Sequence, residues 1–362
     1  MAFTDTPNKQ EKVVAAEKAA EQKLAIPAGY MEINLSTKGK IGAPASFHVR
    51  NFTTEDLMDL SATDQSEIPI QVINCLQSII YEPVEVCDVK KFHENEVIET
   101  LFRIYREYFN TVLVDMPWKM TDEDKEFLKK QFGGAQSPDY LNRIAAYETE
   151  EWIPRWDIDL ESFEFFEVPD EIKTTIEAEF GNGTKVEYTM PRYGDVILLK
   201  EVIDAYFKEE ESKFRQISES LLQKAQLKKA FNEGKSNNDG SRIYVPQSEE
   251  DAYNEYQKRR LIFSTTAVKA LHLKSLNGED LENLSLDERM KIVEENPGVF
   301  SHGTFKQVTK MFSEMKIGIN PKTYGLDPIT RKRVQVDYTF RVFALLQAIR
   351  DNDSSKVTLT FK

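Results

Sequence analysis

The sequence predicts an α+β protein that is mainly α: a helical N-terminal domain, a small antiparallel β element, a long helical hairpin and a mixed C-terminal domain. Three observations carry this. Apolar residues recur at helical spacing, as in Val72, Cys75, Leu76, Ile79 and Ile80. Two passages, from Phe47 to Leu57 and from Trp156 to Val196, move from strand-like residues into a capped helix. From Asp195 to about Asn232 a seam of Leu198, Val202, Tyr206, Phe214, Ile217, Leu221, Leu222 and Ala225 persists.

Taken in order, residues 1–28 form an N-terminal arm. Lys9 to Leu24 is rich in Ala, Glu and Lys with few apolar anchors, which suits either a frayed tail or a segment that becomes helical against a neighbouring subunit. Residues 29–150 make the mainly helical domain. Tyr30 to Leu35 and Ser46 to Asn51 read as strands joined through Gly39, Gly42 and Pro44. Thr53 with Asp56 has the form of a helix cap before Leu57, Met58 and Leu60. The stripe after Pro69 is the next helix, and Pro83 follows its end. His93 to Asn110 has so wide an apolar stripe, including Val97, Leu101, Phe102, Ile104 and Tyr105, that it should pack on two sides. Thr121 with Asp124 caps another helix, and Ser137 to Tyr147 is a further one.

Residues 151–233 hold the β element and the long helix. Trp152, Trp156, Ile158, Leu160 and Phe163 crowd a partly alternating segment that favours strand. Phe180-Gly181-Asn182-Gly183-Thr184 reads as a hairpin turn, with Val186, Tyr188 and Met190 alternating on the outgoing strand. At about 1.5 Å per residue the helix that follows would reach roughly 55 Å. Residues 234–248 are a linker. The remaining 249–362 form a helical C-terminal domain with terminal strands. Its first helix is expected from a Ser248/Asp251 cap to about Ser275, pairing with the long helix as a hairpin. Ser285 with Glu288 opens another helix, and Thr304 to Met315 gives one more. Asn320 to Gly325 is turn-rich, while Arg333 to Phe340 and Val357 to Phe361 read as strands.

Composition narrows the function. The 362 residues are 40% hydrophobic and 30% charged, enough for two or three domains with their own cores. No apolar run approaches the roughly 18 residues of a membrane span, and Met1-Ala2-Phe3-Thr4-Asp5 lacks the order of a signal peptide, so a soluble, cytoplasmically made protein is expected. The charge of −14 divides into −17 over the first 240 residues and +3 from Ser241 onward. An acidic face of that size repels phosphate backbones, so no nucleic-acid partner is expected.

The residues that might carry chemistry have plainer readings. Cys75 and Cys87 are the two cysteines, and Cys75 sits in an apolar stripe. Four histidines without a Cys-x-x-Cys leave zinc no ligand set. Gly181-x-Gly183 with Lys185 lacks phosphate-loop spacing and is followed by a strand. Asp157 and Asp159 share one strand face, where paired acids can bind Mg²⁺ or exchange protons, but such alternation also marks a solvated face. His93 and His48 have no placed nucleophile beside them. Arg331-Lys332-Arg333 is a small basic cluster suited to phosphate or to an acidic partner. The chain is therefore expected to be no enzyme, with no catalytic, cofactor-binding or metal-binding residue.

Arg50-Asn51-Phe52-Thr53-Thr54-Glu55-Asp56-Leu57, the helix pair after it, the Ile158-Asp159-Leu160 strand and the strand before Gly194-Asp195 together resemble the baseplate hub and tail-assembly proteins of T4-type bacteriophages. The resemblance covers about residues 45–200. Related tail proteins carry Cys-x-x-Cys pairs; the corresponding turn, Asn320 to Arg333, has no cysteine, so a metal knuckle is not carried over. The resemblance implies a structural component of a contractile-tail baseplate, in the virion and assembled in the host cytoplasm. Its partners would be other tail proteins, with a homo-oligomer possible and no membrane involved. A tail-assembly chaperone or a head–tail connection protein is the alternative.

Overall fold

The computed structural model describes residues 26–53, 55–56, 67–115, 120–148, 153–170, 172–180, 183–234, 238–240 and 243–351. The expectations placed on the arm before residue 26, on Leu57, Met58 and Leu60, on Trp152, on the apex Gly181-Asn182 and on Val357 to Phe361 lie outside them. The fold is α+β, with nine α-helices and small antiparallel sheets among the described residues.

Strands β1 (Tyr30–Asn34) and β2 (Ser46–Arg50) pair antiparallel, Ile33 opposite Phe47, and turn Ile33, Phe47 and Val49 into the first core. Helix α1 (Ile68–Ile79) buries Val72, Ile73, Cys75, Leu76 and Ile79 there. Helix α2 (Glu94–Tyr108) is the spine of this core. His93 and Glu96 cap its N-terminus reciprocally, and Val97, Leu101, Phe102, Ile104 and Tyr105 are all fully buried.

The loop between β1 and β2 is fastened to α2 by two buried carboxylates. Glu96 accepts hydrogen bonds from Thr37 Oγ1 at 2.7 Å, Ala43 N at 3.0 Å and His93 N at 2.9 Å. Glu99 accepts from the Ser36 amide and hydroxyl and from Arg103 at 2.7 Å. A buried carboxylate persists only with such donors around it.

A four-stranded sheet in the order β10-β9-β4-β3 lies against the same core. It joins β3 (Thr111–Asp115), β4 (Arg155–Asp159), β9 (Lys322–Leu326) and β10 (Arg333–Asp337). Val112 faces Ile158 and Val114 faces Trp156, all buried. Helices α3 (Asp122–Gln131), opened by the expected Thr121/Asp124 box, and α4 (Pro138–Tyr147) lie between β3 and β4. Helix α9 (Val342–Asp351) packs on α2 and α1. The expected boundary at 150 therefore falls inside a sheet, and residues from about 320 onward complete the first core instead of a separate C-terminal domain. Asn320 to Gly325, expected as a turn, supplies most of β9 because β4 offers it a free edge; β3 and α9 were not anticipated.

The second core gathers around the sheet β5-β6-β7-β8. The expected hairpin is β5 (Thr175–Glu179) with β6 (Lys185–Thr189). Helices α5 (Asp195–Asn232) and α6 (Gln247–Leu271) form the expected long antiparallel hairpin. Two of its ends differ from expectation. Gln247, not Ser248, opens α6, directly after Pro246. Helix α6 stops at Leu271 rather than Ser275, because β7 (Leu273–Leu276) pairs with β6 and covers its edge. Asn277 and Gly278, both at positive φ, then turn the chain into β8 (Glu279–Asp280). Helices α7 (Leu286–Glu295), with the Ser285/Glu288 box, and α8 (His302–Ser313) close this core.

Candidate functional site

The N-terminus of α2 belongs to the first core and α8 to the second, and a cleft of about 280 Å³ opens between them. One wall is His93, Glu94 and Asn95; the other is Phe305, Val308, Thr309 and Phe312, with His272 and Pro191 at the back. A further depression of about 270 Å³ shares Asn95 and Ser313 with it and is lined by Ile98, Phe166, Ile317, Ile319 and Phe340. Together they form a trough of mixed polar and apolar lining along the junction of the two cores.

The two histidines in this cleft are held neutral. His93 Nδ1 accepts from the Asn95 amide at 3.2 Å, and burial brings its pKa down to about 4. His272 closes the C-terminus of α6, its ring nearly parallel to Phe305 with centroids 6.2 Å apart. Burial first, and the nearby Arg289 second, bring His272 down to about 4 as well. Its Nδ1 is buried with no hydrogen-bond partner. Two neutral imidazoles among phenyl rings can hold apolar groups or the side chains of a docking chain. The two hydroxyls in the lining, Thr309 and Ser313, donate to the Phe305 and Lys310 carbonyls of their own helix.

A second depression, about 270 Å³, lies where α5 begins. Arg289 donates to the Leu271 carbonyl at 3.3 Å and keeps its Nε buried and unpartnered. Asp195 accepts from the Arg192 amide at 2.6 Å, and burial raises its pKa. Arg192 and Arg289 stand here with Asp195 and Glu282, two cations and two acids, a locally balanced arrangement.

The residues singled out in the sequence take up structural work. Asp157 and Asp159 do share a face of β4, but Asp157 lies 3.5 Å from Arg331 and Asp159 accepts from the Glu161 amide at 2.9 Å. Each member of the basic cluster is engaged: Arg331 with Asp157, Lys332 with Glu123, and Arg333 over the Tyr324 ring at 4.4 Å. The structure thus joins the acidic strand to the basic turn, which the sequence reading kept apart. His48 Nδ1 meets Glu82 at 2.6 Å. The Lys185 amide donates to Asn277 Oδ1 at 2.9 Å, binding the β5–β6 turn to the β7–β8 turn.

Cys75 donates to the Asp56 carbonyl, and burial pushes the Cys87 thiol up to about 12, so neither is poised to react. Among the described residues there is no group of three or more His, Cys, Asp or Glu that could hold a metal, and no helix long and apolar enough to cross a membrane. His272 and Arg289 were missed in the sequence, because a lone histidine before a strand and an arginine within a helix carry no local signal.

The segment that carries the family resemblance also has a local role. Arg50 grips Asp56 through both guanidinium nitrogens, and Asp56 caps with Thr53. Comparison with family models, with curated proteins and with solved structures finds no match.

Proposed function

We propose that the protein is a non-catalytic component of a contractile-tail baseplate of the T4 type, working through surfaces it presents to neighbouring tail proteins. The kind of assembly rests on the sequence resemblance around Arg50 to Leu57 and Ile158 to Leu160. The mode of action rests on one observation, the α5–α6 hairpin. Beyond Phe207, α5 buries only Phe214, yet it continues to Asn232. The hairpin leaves Tyr206, Leu222, Leu261 and Ile262 each more than half exposed. A projecting helix pair with large apolar side chains in water is a contact surface in search of a partner. The trough between the cores, with its phenyl rings and neutral imidazoles, is a second place for a docking segment.

Mass spectrometry of purified particles tests the reading. A baseplate component is present at stoichiometric level and stays with the tail through purification. Presence only in assembly intermediates makes it a tail-assembly chaperone instead, and enrichment with the portal region makes it a head–tail connection protein. Absence from particles and intermediates alike overturns the proposal.

A further inference from the structure

We infer that the α5–α6 hairpin pairs with the same hairpin of a second copy, about a two-fold axis parallel to its length, to form a four-helix bundle. The inference rests on the reading that the hairpin is a contact surface, but not on which particle the protein joins.

The hairpin presents a self-complementary face. Tyr206 lies four residues before Glu210 and Lys213 three after it, so the three share one flank of α5. Glu255 lies four before Arg259 and Ile262 three after it, giving one flank of α6. The Arg259–Glu210 ion pair, at 2.8 Å, puts the two flanks on the same face of the hairpin. Because the helices run antiparallel, Tyr206 stands nearly level with Ile262, and Lys213 nearly level with Glu255. Tyr206 is 66% and Ile262 58% exposed. Lys213 and Glu255 are both exposed, and neither has an ion pair among the described residues.

A two-fold axis along the hairpin lays α5 of one copy over α6 of the other at the same height. Three layers then match, each occurring twice. Tyr206 meets the partner's Ile262, Glu210 meets the partner's Arg259, and Lys213 meets the partner's Glu255. Every helix has only antiparallel neighbours, which is the up-and-down bundle arrangement. A copy turned end over end would instead set α5 against α5 and lose these matches.

Charge along the helices points the same way. Gln247 to Gln257 of α6 carries four acids and no base, and the stretch of α5 level with it, Ser212 to Leu222, carries Lys213, Arg215 and Glu219, a balance of +1. Among the described residues the ion pairs joining α5 to α6 stop at Glu211; Arg215 pairs with Glu219 within α5, which leaves Lys213 as the cation facing the acids of α6. The flanks that face one another, Tyr206 to Leu222 of α5 and Gln247 to Ile262 of α6, are each roughly 24 Å long and about 10 Å wide, and offer on the order of 480 Å² per protomer, near 960 Å² in all. That is the size of a small, reversible interface, for which the charge matches matter more than the area.

Sedimentation equilibrium of the full chain is the test. The expected result is a dimer, twice the 41.8 kDa chain. K213E sets a carboxylate against the partner's Glu255, and E255K sets an ammonium against the partner's Lys213. Each variant should weaken dimerisation about tenfold or more, since both symmetry-related contacts are spoiled. An equimolar mixture of the two should recover a heterodimer, although each chain still carries its own like-charged pair. That recovery separates an intermolecular contact from a damaged hairpin, and circular dichroism checks that each variant is folded. A monomer at about 100 µM, a concentration far above the Kd of a specific interface, overturns the pairing and leaves docking of other proteins untouched. A larger oligomer, or a dimer indifferent to K213E, E255K and I262S, overturns it equally.

Discussion

Arg50 and Asp56 form a two-pronged ion pair, Nη1 to Oδ2 at 2.6 Å and Nη2 to Oδ1 at 2.8 Å, on the exit from strand β2. The Asp56 side chain is only 9% exposed and also accepts from the Thr53 amide and hydroxyl, both at 2.7 Å. It further takes the Ser78 hydroxyl, and so ties the end of β2 to the end of α1. The sharp turn out of the strand is therefore set by one carboxylate with donors from three residues.

Replacing Asp56 with Ala should cost about 2–3 kcal/mol in urea unfolding, since it strands a partly buried guanidinium and uncaps Thr53. The Arg50 side chain holds the Asp56 carboxyl well below the ordinary carboxylate range. A depressed acid contributes stability above its unfolded value near 4 and loses it as pH falls further. The D56A deficit should accordingly shrink below pH 4. A deficit that stays constant with pH would show that the ion pair is not its source.

His93 and His272 give the opposite end of the acid range. Both are neutral, His272 buried and His93 largely covered, with pKa values near 4 against about 6.5 in an unfolded chain. Folding therefore excludes the proton, so stability is whole above pH 6.5 and declines as pH falls toward 4. Each group contributes up to about 3 kcal/mol to that decline. H272Q should flatten the slope between pH 6.5 and 4 in a series of urea midpoints, and the slope surviving unchanged would contradict the placement.

Gly42 marks the closest approach of the β1–β2 loop to the chain ahead of α2. A Cβ at Gly42 would lie 1.8 Å from the Lys91 carbonyl oxygen. G42A should lower stability by several kcal/mol, because backbone must move and the Ala43 amide must leave Glu96. Gly298 has nothing within 4 Å of its missing Cβ, so G298A serves as the control and should change stability by less than about 1 kcal/mol. Equal effects at the two sites would mean that the loop is not clamped.

What the sequence disclosed was local. The Thr53/Asp56, Thr121/Asp124 and Ser285/Glu288 boxes are pairs three residues apart, and α5 follows from one uninterrupted seam. What it concealed was long-range. Asp157 pairs with Leu326 across the chain, and no feature near either residue encodes that. Helix α6 reads as continuing to about Ser275, but the edge of β6 captures Leu273 to Leu276 as strand. The His93–His272 cleft needs two cores brought together, so neither histidine is informative alone.

The hairpin should loosen as a unit when its small core is cut. Tyr256 is 2% exposed and sits between Phe214, at 5.1 Å between ring centroids, and Phe207, at 5.7 Å. Among the described residues Phe207, Phe214 and Tyr256 are the buried members of this cluster, with Ile203, Ile217, Tyr253 and Phe263 packed against them, so removing the central ring unseats much of what joins α5 to α6. Truncating a buried aromatic commonly costs about 3–5 kcal/mol, more than so small a cluster can lose without opening. Y256A should therefore raise amide hydrogen exchange across Phe207 to Asn232 and Gln247 to Phe263. Exchange in α2 and in β4 should stay as slow as before, because those elements belong to the first core. Exchange rising in all three places together would mean that the hairpin and the cores unfold as one cooperative body, and that the projecting helices borrow their stability from the whole molecule.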